Sequence, residues 1–439
     1  MNSQSDKNEY LKMTVKFKNK GLCLLWLVFI FDAHAQVISV NPSVNETINQ
    51  IERLRKDDIW WTVNGKDMLW NFKNLNKVFP TVTVYRKGAV KQLESNLNSD
   101  IDVLQIKTKT GSMGFKAFLD SEQSTAMGVV ILHKGKVVFE HYPRMKPHEK
   151  PVHWSVTKVI VSSLIAILEA ENKIDISLPI DFYLPELKNS DFKNITINNI
   201  LDMATGINCP DNYTNKKSCY YLYSMAVGDG YWDESSPSNP YEFIANMNFG
   251  SLYEQGTVYS YSGVNTFVLG WLVEKITGMQ LQDALSEMIW TKIGTESDAA
   301  IFAPRNGIPV MHGGLLTTLK DLSRFGLLFT PSYSTVSNQR IISEEHIAYL
   351  LNEGRPSLIR AEGARKIPKE LKYNVYQWDM VHENGDLYKG GWAGQGLITN
   401  PKKDYVVVWN SYFKDDQRSE TGLDSIIQQV LPSIGGLKQ

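Results

Sequence analysis

The residues best able to do chemistry in this 439-residue chain are a serine and a lysine three apart, in Ser155-Val156-Thr157-Lys158. On a helix, that spacing puts the hydroxyl and the amine on one face, and a helix N-terminus favours the alkoxide formed as a serine attacks a carbonyl carbon. The lysine can take the serine's proton only as a neutral amine, so burial or a neighbouring positive charge must lower its pKa. The ten residues after Lys158, VIVSSLIAIL, carry no charge. The sequence therefore predicts a buried helix with an ionisable group at its start, which is costly unless a role compensates. The same spacing recurs at Ser190/Lys193 and Ser411/Lys414, in a polar loop and at the end of an expected strand. An isolated match would be a capping serine with a snorkelling lysine; the apolar helix start singles out Ser155.

Two further segments could complete a site. Tyr259-Ser260-Tyr261-Ser262-Gly263 precedes the helical stretch VNTFVLGWLVEKITG. A tyrosine there could relay a proton from the serine to a leaving group, although core packing would also explain both rings. Lys389-Gly390-Gly391-Trp392 precedes Ala393-Gly394-Gln395-Gly396. Paired glycines on an edge strand admit a substrate backbone, and an amide N–H there could complete an oxyanion hole with that of Ser155. Lys109-Thr110-Gly111 has the look of a substrate-binding triplet but precedes the serine and is read as a loop. His153 and His312 could line a cleft, with packing as the plainer role.

The elements that must position these residues follow from periodicity. GVVILHKGKVVFEHY is predicted as a hairpin turning at His133-Lys134-Gly135-Lys136. SVTKVIVSSLIAILEAENK and GLLTTLKDLSRFGLLF are predicted as helices, GLITNPKKDYVVVWNSYF as two strands, and SETGLDSIIQQVL as a closing helix. Strands at both ends with helices between them imply an α+β domain: an antiparallel sheet flanked by helices, with an inserted helical lobe. Residues 36–115, rich in aromatics at Trp60, Trp61, Trp70 and Phe72, are expected as an N-terminal extension packing on a hydrolase domain of residues 116–435.

The ordered set of Ser-x-x-Lys, Tyr and Lys-x-Gly resembles the serine β-lactamase and penicillin-binding-protein-like superfamily. HWSVTKVIVSSLIAILEAENKIDISLPIDFYLPEL, LDMATGI, YSYSGVNTFVLGWLVEKITG and HGGLLTTLKDLSRFG look like class C β-lactamase-related serine hydrolases. Trp70-Asn71-Phe72 through Pro80-Thr81, Val264-Asn265-Thr266 and Gly394-Gln395 are most similar to the 6-aminohexanoate-dimer hydrolase-like branch. The resemblance implies a β-lactamase-like fold with Ser155 as acylated nucleophile, Lys158 as its base and Tyr261 as proton relay. It also implies an oxyanion hole from the N–H groups of Ser155 and Trp392, with Lys389, Gly390, Gly391 and Gly263 facing substrate. Two positions depart from class C β-lactamases. Gly263 stands where their Tyr-x-Asn has asparagine, and Gly390 stands where their Lys-Thr-Gly has threonine. The expected activity is thus hydrolysis of a small ester or linear amide. The alternatives are action on β-lactams or cell-wall peptides, and a non-catalytic receptor on the same fold.

Composition and the N-terminus bound the rest. With 46 basic against 47 acidic residues, the chain lacks the footprint of a nucleic-acid binder. No motif calls for a metal or cofactor, so the partner expected is a small-molecule ester or amide. Lys16, Lys18 and Lys20, the eleven-residue apolar run Gly21–Phe31 and Ala33-His34-Ala35 read as a secretory signal cleaved after Ala35, with Met13 as a possible true start. The run is too short to span a bilayer, which needs about 20 residues, so no membrane span is expected after cleavage and the protein is expected in the periplasm or secreted. Cleavage removes Cys23 and leaves Cys209 and Cys219, which flank a polar stretch. In an oxidising compartment these are expected to form a disulfide, with two free thiols as the alternative.

Overall fold

The computed structural model describes residues 45, 48, 49, 51, 52, 63–361 and 371–434. The expected leader with its Ala35 boundary, Met13, Trp60 and Trp61 lie outside the described residues. The chain divides into two units, Met1–Glu46 and Thr47–Gln439, and every strand and helix named here belongs to the second.

Three short strands lie early in this unit: β1 (Thr81–Val84), β2 (Gln105–Thr108) and β3 (Gly111–Gly114). The Lys109-Thr110 pair forms the turn between β2 and β3. The hairpin expected around Lys134-Gly135 forms as β4 (Gly128–His133) and β5 (Lys136–His141). Both turn residues adopt positive φ, 49° and 75°, which a two-residue type I′ turn demands. β6 (Ala299–Phe302) pairs with β1 and with β7 (Leu315–Leu316). The C-terminal part supplies β8 (Leu371–Val375), β9 (Trp378–His382), β10 (Leu387–Gly391), β11 (Gln395–Asn400) and β12 (Tyr405–Asn410). These join the hairpin in an antiparallel seven-stranded sheet of order β5-β4-β12-β11-β10-β9-β8. Because β4 pairs with β12, the helical middle of the chain is an insertion between two halves of one sheet. The fold is α+β.

Five helices matter to the site: α1 (Gly65–Val78), α2 (Thr157–Ala170), α3 (Gly263–Thr277), α4 (Leu319–Leu327) and α5 (Leu423–Ile434). Side chains alternate across a strand, and here both faces of the sheet are covered. Val130 and Leu132 of β4 share a core with Val159, Ile160 and Leu164 of α2 and Leu322 and Phe325 of α4. Val129 and Ile131 face the other way, among Ile426, Ile427 and Val430 of α5 and Phe115 and Phe118. This double burial explains why β11 and β12 are buried at every position and why β12 reads as a nearly continuous apolar run.

Two expected helices begin later than predicted. Leu315 and Leu316, expected in a helix, pair as a strand with Ile301 and Ala300. α4 starts only after Thr318, whose hydroxyl accepts the Asp321 N–H and caps it. Likewise Ser155 lies in a 3₁₀ turn, Trp154–Val156, directly ahead of α2. Among the described residues, no helix is long and apolar enough to cross a membrane.

Candidate active site

The turn that carries Ser155 is held in a conformation its sequence would not choose alone. Trp154, immediately before the serine, has φ 46°, a left-handed geometry that costs a non-glycine residue of order 1 kcal/mol and persists only where surroundings enforce it. The enforcement is visible. The Trp154 indole meets Phe72 of α1 and Phe302 of β6 edge-on, at 5.6 and 5.8 Å between ring centroids. His153 donates its backbone N–H to the Leu315 carbonyl at 3.0 Å, and the Thr157 hydroxyl accepts the Leu315 N–H at 3.1 Å. Aromatic anchors from the N-terminal segment and from β6 thus fix the residue beside the nucleophile candidate. His153 itself is fully buried, bonds the Thr317 carbonyl through Nε2 at 2.9 Å, and is pushed down to about pKa 4 by burial. It is a neutral packing residue.

Lys158 is fully buried. Its Nζ lies 3.2 Å from Ser155 Oγ and donates to the His312 carbonyl at 2.7 Å. Burial, opposed by Asp211 and assisted by the positive charge of Lys389, lowers its pKa to about 7. An amine so placed is substantially neutral at neutral pH and can accept the serine's proton.

Tyr261 is the tyrosine brought to this pair. Its phenol lies near enough to Ser155 to feel its hydroxyl, and its ring has Lys158 Nζ 5.1 Å and Lys389 Nζ 4.8 Å from its centroid, inside the range of cation–π attraction. Burial raises its pKa well above 10, with Asp379 and Asp211 adding to the rise. Tyr261 is therefore a phenol at neutral pH, able to pass a proton but not to act as a standing base. Lys389, on β10, is fully buried and bonds both Asp379 Oδ1 at 2.5 Å and the Tyr261 hydroxyl at 3.4 Å.

β10 also brings its glycines against the serine turn. A Cβ on Gly391 would sit 2.6 Å from the His153 carbonyl oxygen, so only glycine permits this approach. The next residues, Trp392-Ala393-Gly394, form a tight turn with φ 60° at Ala393 and 83° at Gly394. Buried Gln395 pins that turn. Its amide donates to the carbonyls of Trp392 and Ser411, and its oxygen accepts from Asn410 and from the Ser411 N–H. The other Ser-x-x-Lys matches lie apart from this arrangement. Ser190 bonds the Leu187 carbonyl and Ser411 bonds Thr125.

Gly263 opens α3, and its N–H donates to Asp211 Oδ1 at 2.7 Å. A Cβ there would lie 2.9 Å from the His312 ring and 3.0 Å from Tyr220. Two rings thus take the space an asparagine would need. Gly263→Asn should therefore cost about 1–3 kcal/mol by overpacking and leave cephalosporin hydrolysis no faster. A thermal melt and a chromogenic cephalosporin assay check both outcomes.

Sequence reasoning missed the carboxylates. Asp211 lies in the loop closed by the Cys209–Cys219 disulfide, whose Cα atoms are 5.0 Å apart, and it accepts the Tyr213 hydroxyl as well as the Gly263 N–H. Tyr213 in turn meets Trp392 edge-on at 4.9 Å, so this loop reaches the turn after β10. No local pattern marks Asp211. Asp379 carried only a general signal: Asn384-Gly385 is a hairpin turn cue, but a two-residue loop there would set Met380 opposite Lys389, whereas the observed register pairs Met380 with Tyr388 and brings Asp379 to Lys389. Behind Lys158, His312 is buried between Asp229 at 2.9 Å and Tyr223 at 2.8 Å, which holds in place the segment whose carbonyl receives the lysine. Among the described residues, no group of His, Cys, Asp and Glu could hold a metal ion.

Comparison with known proteins places this geometry. The chain is 26% identical over 359 residues to a 6-aminohexanoate-dimer hydrolase of Paenarthrobacter ureafaciens, covering 81% of this chain and 88% of that one. It is 25% identical over 222 residues to a beta-lactamase of Providencia stuartii, covering 48% and 52%. A solved Bacillus anthracis structure, provisionally named a 6-aminohexanoate-dimer hydrolase, superposes with a TM-score of 0.75 at 23% identity, covering 91% of this chain and all of that one; it supports the fold. The beta-lactamase family model matches residues 115–429, and the chain belongs to the beta-lactamase family of hydrolases.

Proposed function

We propose that this protein is an exported serine hydrolase that cleaves a small ester or amide through an acyl-enzyme. The observation that carries the reading is the fully buried Lys158 amine, 3.2 Å from Ser155 Oγ and with its pKa lowered to about 7. In the reaction, Ser155 Oγ bonds to the substrate carbonyl carbon while its proton passes to the neutral Lys158. The Ser155 and Trp392 N–H groups receive the oxyanion. As the tetrahedral adduct collapses, the Tyr261 hydroxyl gives its proton to the departing oxygen or nitrogen and recovers one from Lys158. Water then attacks the acyl group, losing its proton by the same route, and Ser155 is released. A base near neutrality beside a relay that stays protonated divides the acid and base roles as such chemistry requires.

The 6-aminohexanoate-dimer hydrolase relative favours a linear amide, and esterase relatives of the fold, such as a family VIII carboxylesterase, fit the ester alternative. Gly263, crowded by His312 and Tyr220, disfavours β-lactam turnover, and a pure receptor would have no use for a buried lysine with a lowered pKa beside a serine. Export rests on the basic-apolar-small pattern of residues 16–35. A fluorophosphonate probe should label wild-type protein and leave Ser155→Ala unlabelled. Absence of wild-type labelling, together with inert activated esters, would sink the enzyme reading.

A further inference from the structure

Lys389 has more than one possible recipient for its charge, and the fold supplies one of its own. In the β9–β10 hairpin Leu387 pairs with Val381 and Tyr388 with Met380. One residue beyond the last of these pairs on each strand stand Lys389 and Asp379, whose side chains meet as neighbours across a hairpin do. The Asp379 carboxylate takes both available donors, Lys389 Nζ at 2.5 Å and the Gly390 N–H at 3.0 Å. Lys389 is fully buried, while the Asp379 side chain keeps 22% of its surface exposed. The pair therefore presents its negative end outward. Gly390 adds an independent sign. A Cβ there would lie 2.8 Å from the Tyr388 hydroxyl and 3.5 Å from Asp379 Oδ2, so a hydroxyl-bearing side chain that could help bind an anion would crowd against Tyr388 and lie in contact with the carboxylate. Lys389 also touches Tyr261, the group that would protonate the leaving group, and so lies toward the leaving-group half of a bound substrate.

We infer that Asp379 determines specificity: its carboxylate occupies the cationic end of Lys389, so the site accepts esters and amides whose leaving group carries no anion and rejects those whose leaving group bears a carboxylate. The inference rests on the serine-hydrolase reading above and adds a substrate class to it, one that parts this chain from the 6-aminohexanoate-dimer hydrolase, whose named substrate has a carboxylate on its departing half. An anionic leaving group would have to approach Asp379 as a like charge in a partly buried site, where repulsion is stronger than in water, a repulsive device of the kind that sets specificity by exclusion.

The test compares two esters of one phenol, methyl 3-(butyryloxy)benzoate and 3-(butyryloxy)benzoate, which differ in the negative charge on the leaving group. Wild-type kcat/KM should favour the neutral ester by at least ~10-fold, and Asp379→Asn should narrow that ratio by about fivefold or more through a gain on the anionic ester. Equal use of both esters by the wild type overturns the inference, as does a ratio that Asp379→Asn leaves unchanged. Should that variant fail to fold, the wild-type ratio still decides. Charge exclusion predicts that it shrinks as salt rises from ~0.05 to ~1 M, and a ratio insensitive to salt counts against Asp379. The two readings separate cleanly: if the neutral ester is inert and Ser155 takes no fluorophosphonate, the hydrolase reading falls and this inference with it. If the neutral ester turns over while the ratio is flat, only the inference falls.

Discussion

Lys158→Met is expected to lower kcat/KM for a p-nitrophenyl ester by about 10³-fold or more, within the range lost with a general base that also activates the nucleophile, while the protein stays folded. Methionine matches the lysine stem in length and needs no proton, so it can occupy the fully buried site without a charge to bury. The His312 carbonyl loses one donor, a cost of about 1 kcal/mol, partly offset by removing an ionisable group from the core. The pH profile provides a second readout. With the neutral amine as the active form and a pKa of about 7, wild-type kcat/KM should fall tenfold per unit below pH 7 and level off above it. The limb is set by loss of a proton, so activity rises with pH; a base carboxylate would place its limb several units lower. In Lys158→Met the residual rate should lack this limb. Steady-state rates across pH and a thermal melt test the prediction, and wild-type-like turnover in the variant would remove Lys158 from the mechanism.

Tyr261→Phe should divide substrates by leaving group. The phenylalanine ring still fits between Lys158 and Lys389, whose Nζ atoms lie 5.1 and 4.8 Å from the Tyr261 centroid, so the cleft keeps its shape and loses one hydroxyl. A p-nitrophenolate departs without a proton, and its ester should lose only about tenfold. An anilide must be protonated as it leaves and should lose about 10³-fold, near the middle of the span for general acid catalysis. Equal losses on both substrates would make Tyr261 a positioning group and refute the relay. The raised pKa of Tyr261, caused first by burial and then by Asp379 and Asp211, rules out tyrosinate as the resting base and so couples this prediction to the first.

How much of this was legible before any coordinates depended on whether the deciding interaction was local. Ser155 and Lys158 are three residues apart, and their shared face follows from helical geometry. The buried lysine was readable from the uncharged run after it, and the β4–β5 hairpin from a Lys-Gly turn between β-branched runs. Leu315 and Leu316 misled because their apolar pattern fits a helix or a buried strand equally well; only pairing with β6 resolved it.

By itself, then, the sequence determined that a serine and a lysine share one buried helix start, and that strands from both ends of the chain enclose a helical insertion. The resemblance already singled out Tyr261 from Tyr259, and tertiary structure supplied the physical reason by setting Tyr261 beside Ser155 and the two lysines. Tertiary structure alone decided the left-handed Trp154, held by Phe72 and Phe302 from opposite directions in the chain, and the charge state of the cleft, set by Asp211 and Asp379. The physical reason is range. Backbone periodicity acts over a few residues and is written in composition, whereas electrostatic and steric terms depend on distance in space. Those distances exist only once β9, β10 and the disulfide-closed loop have been brought to the same serine.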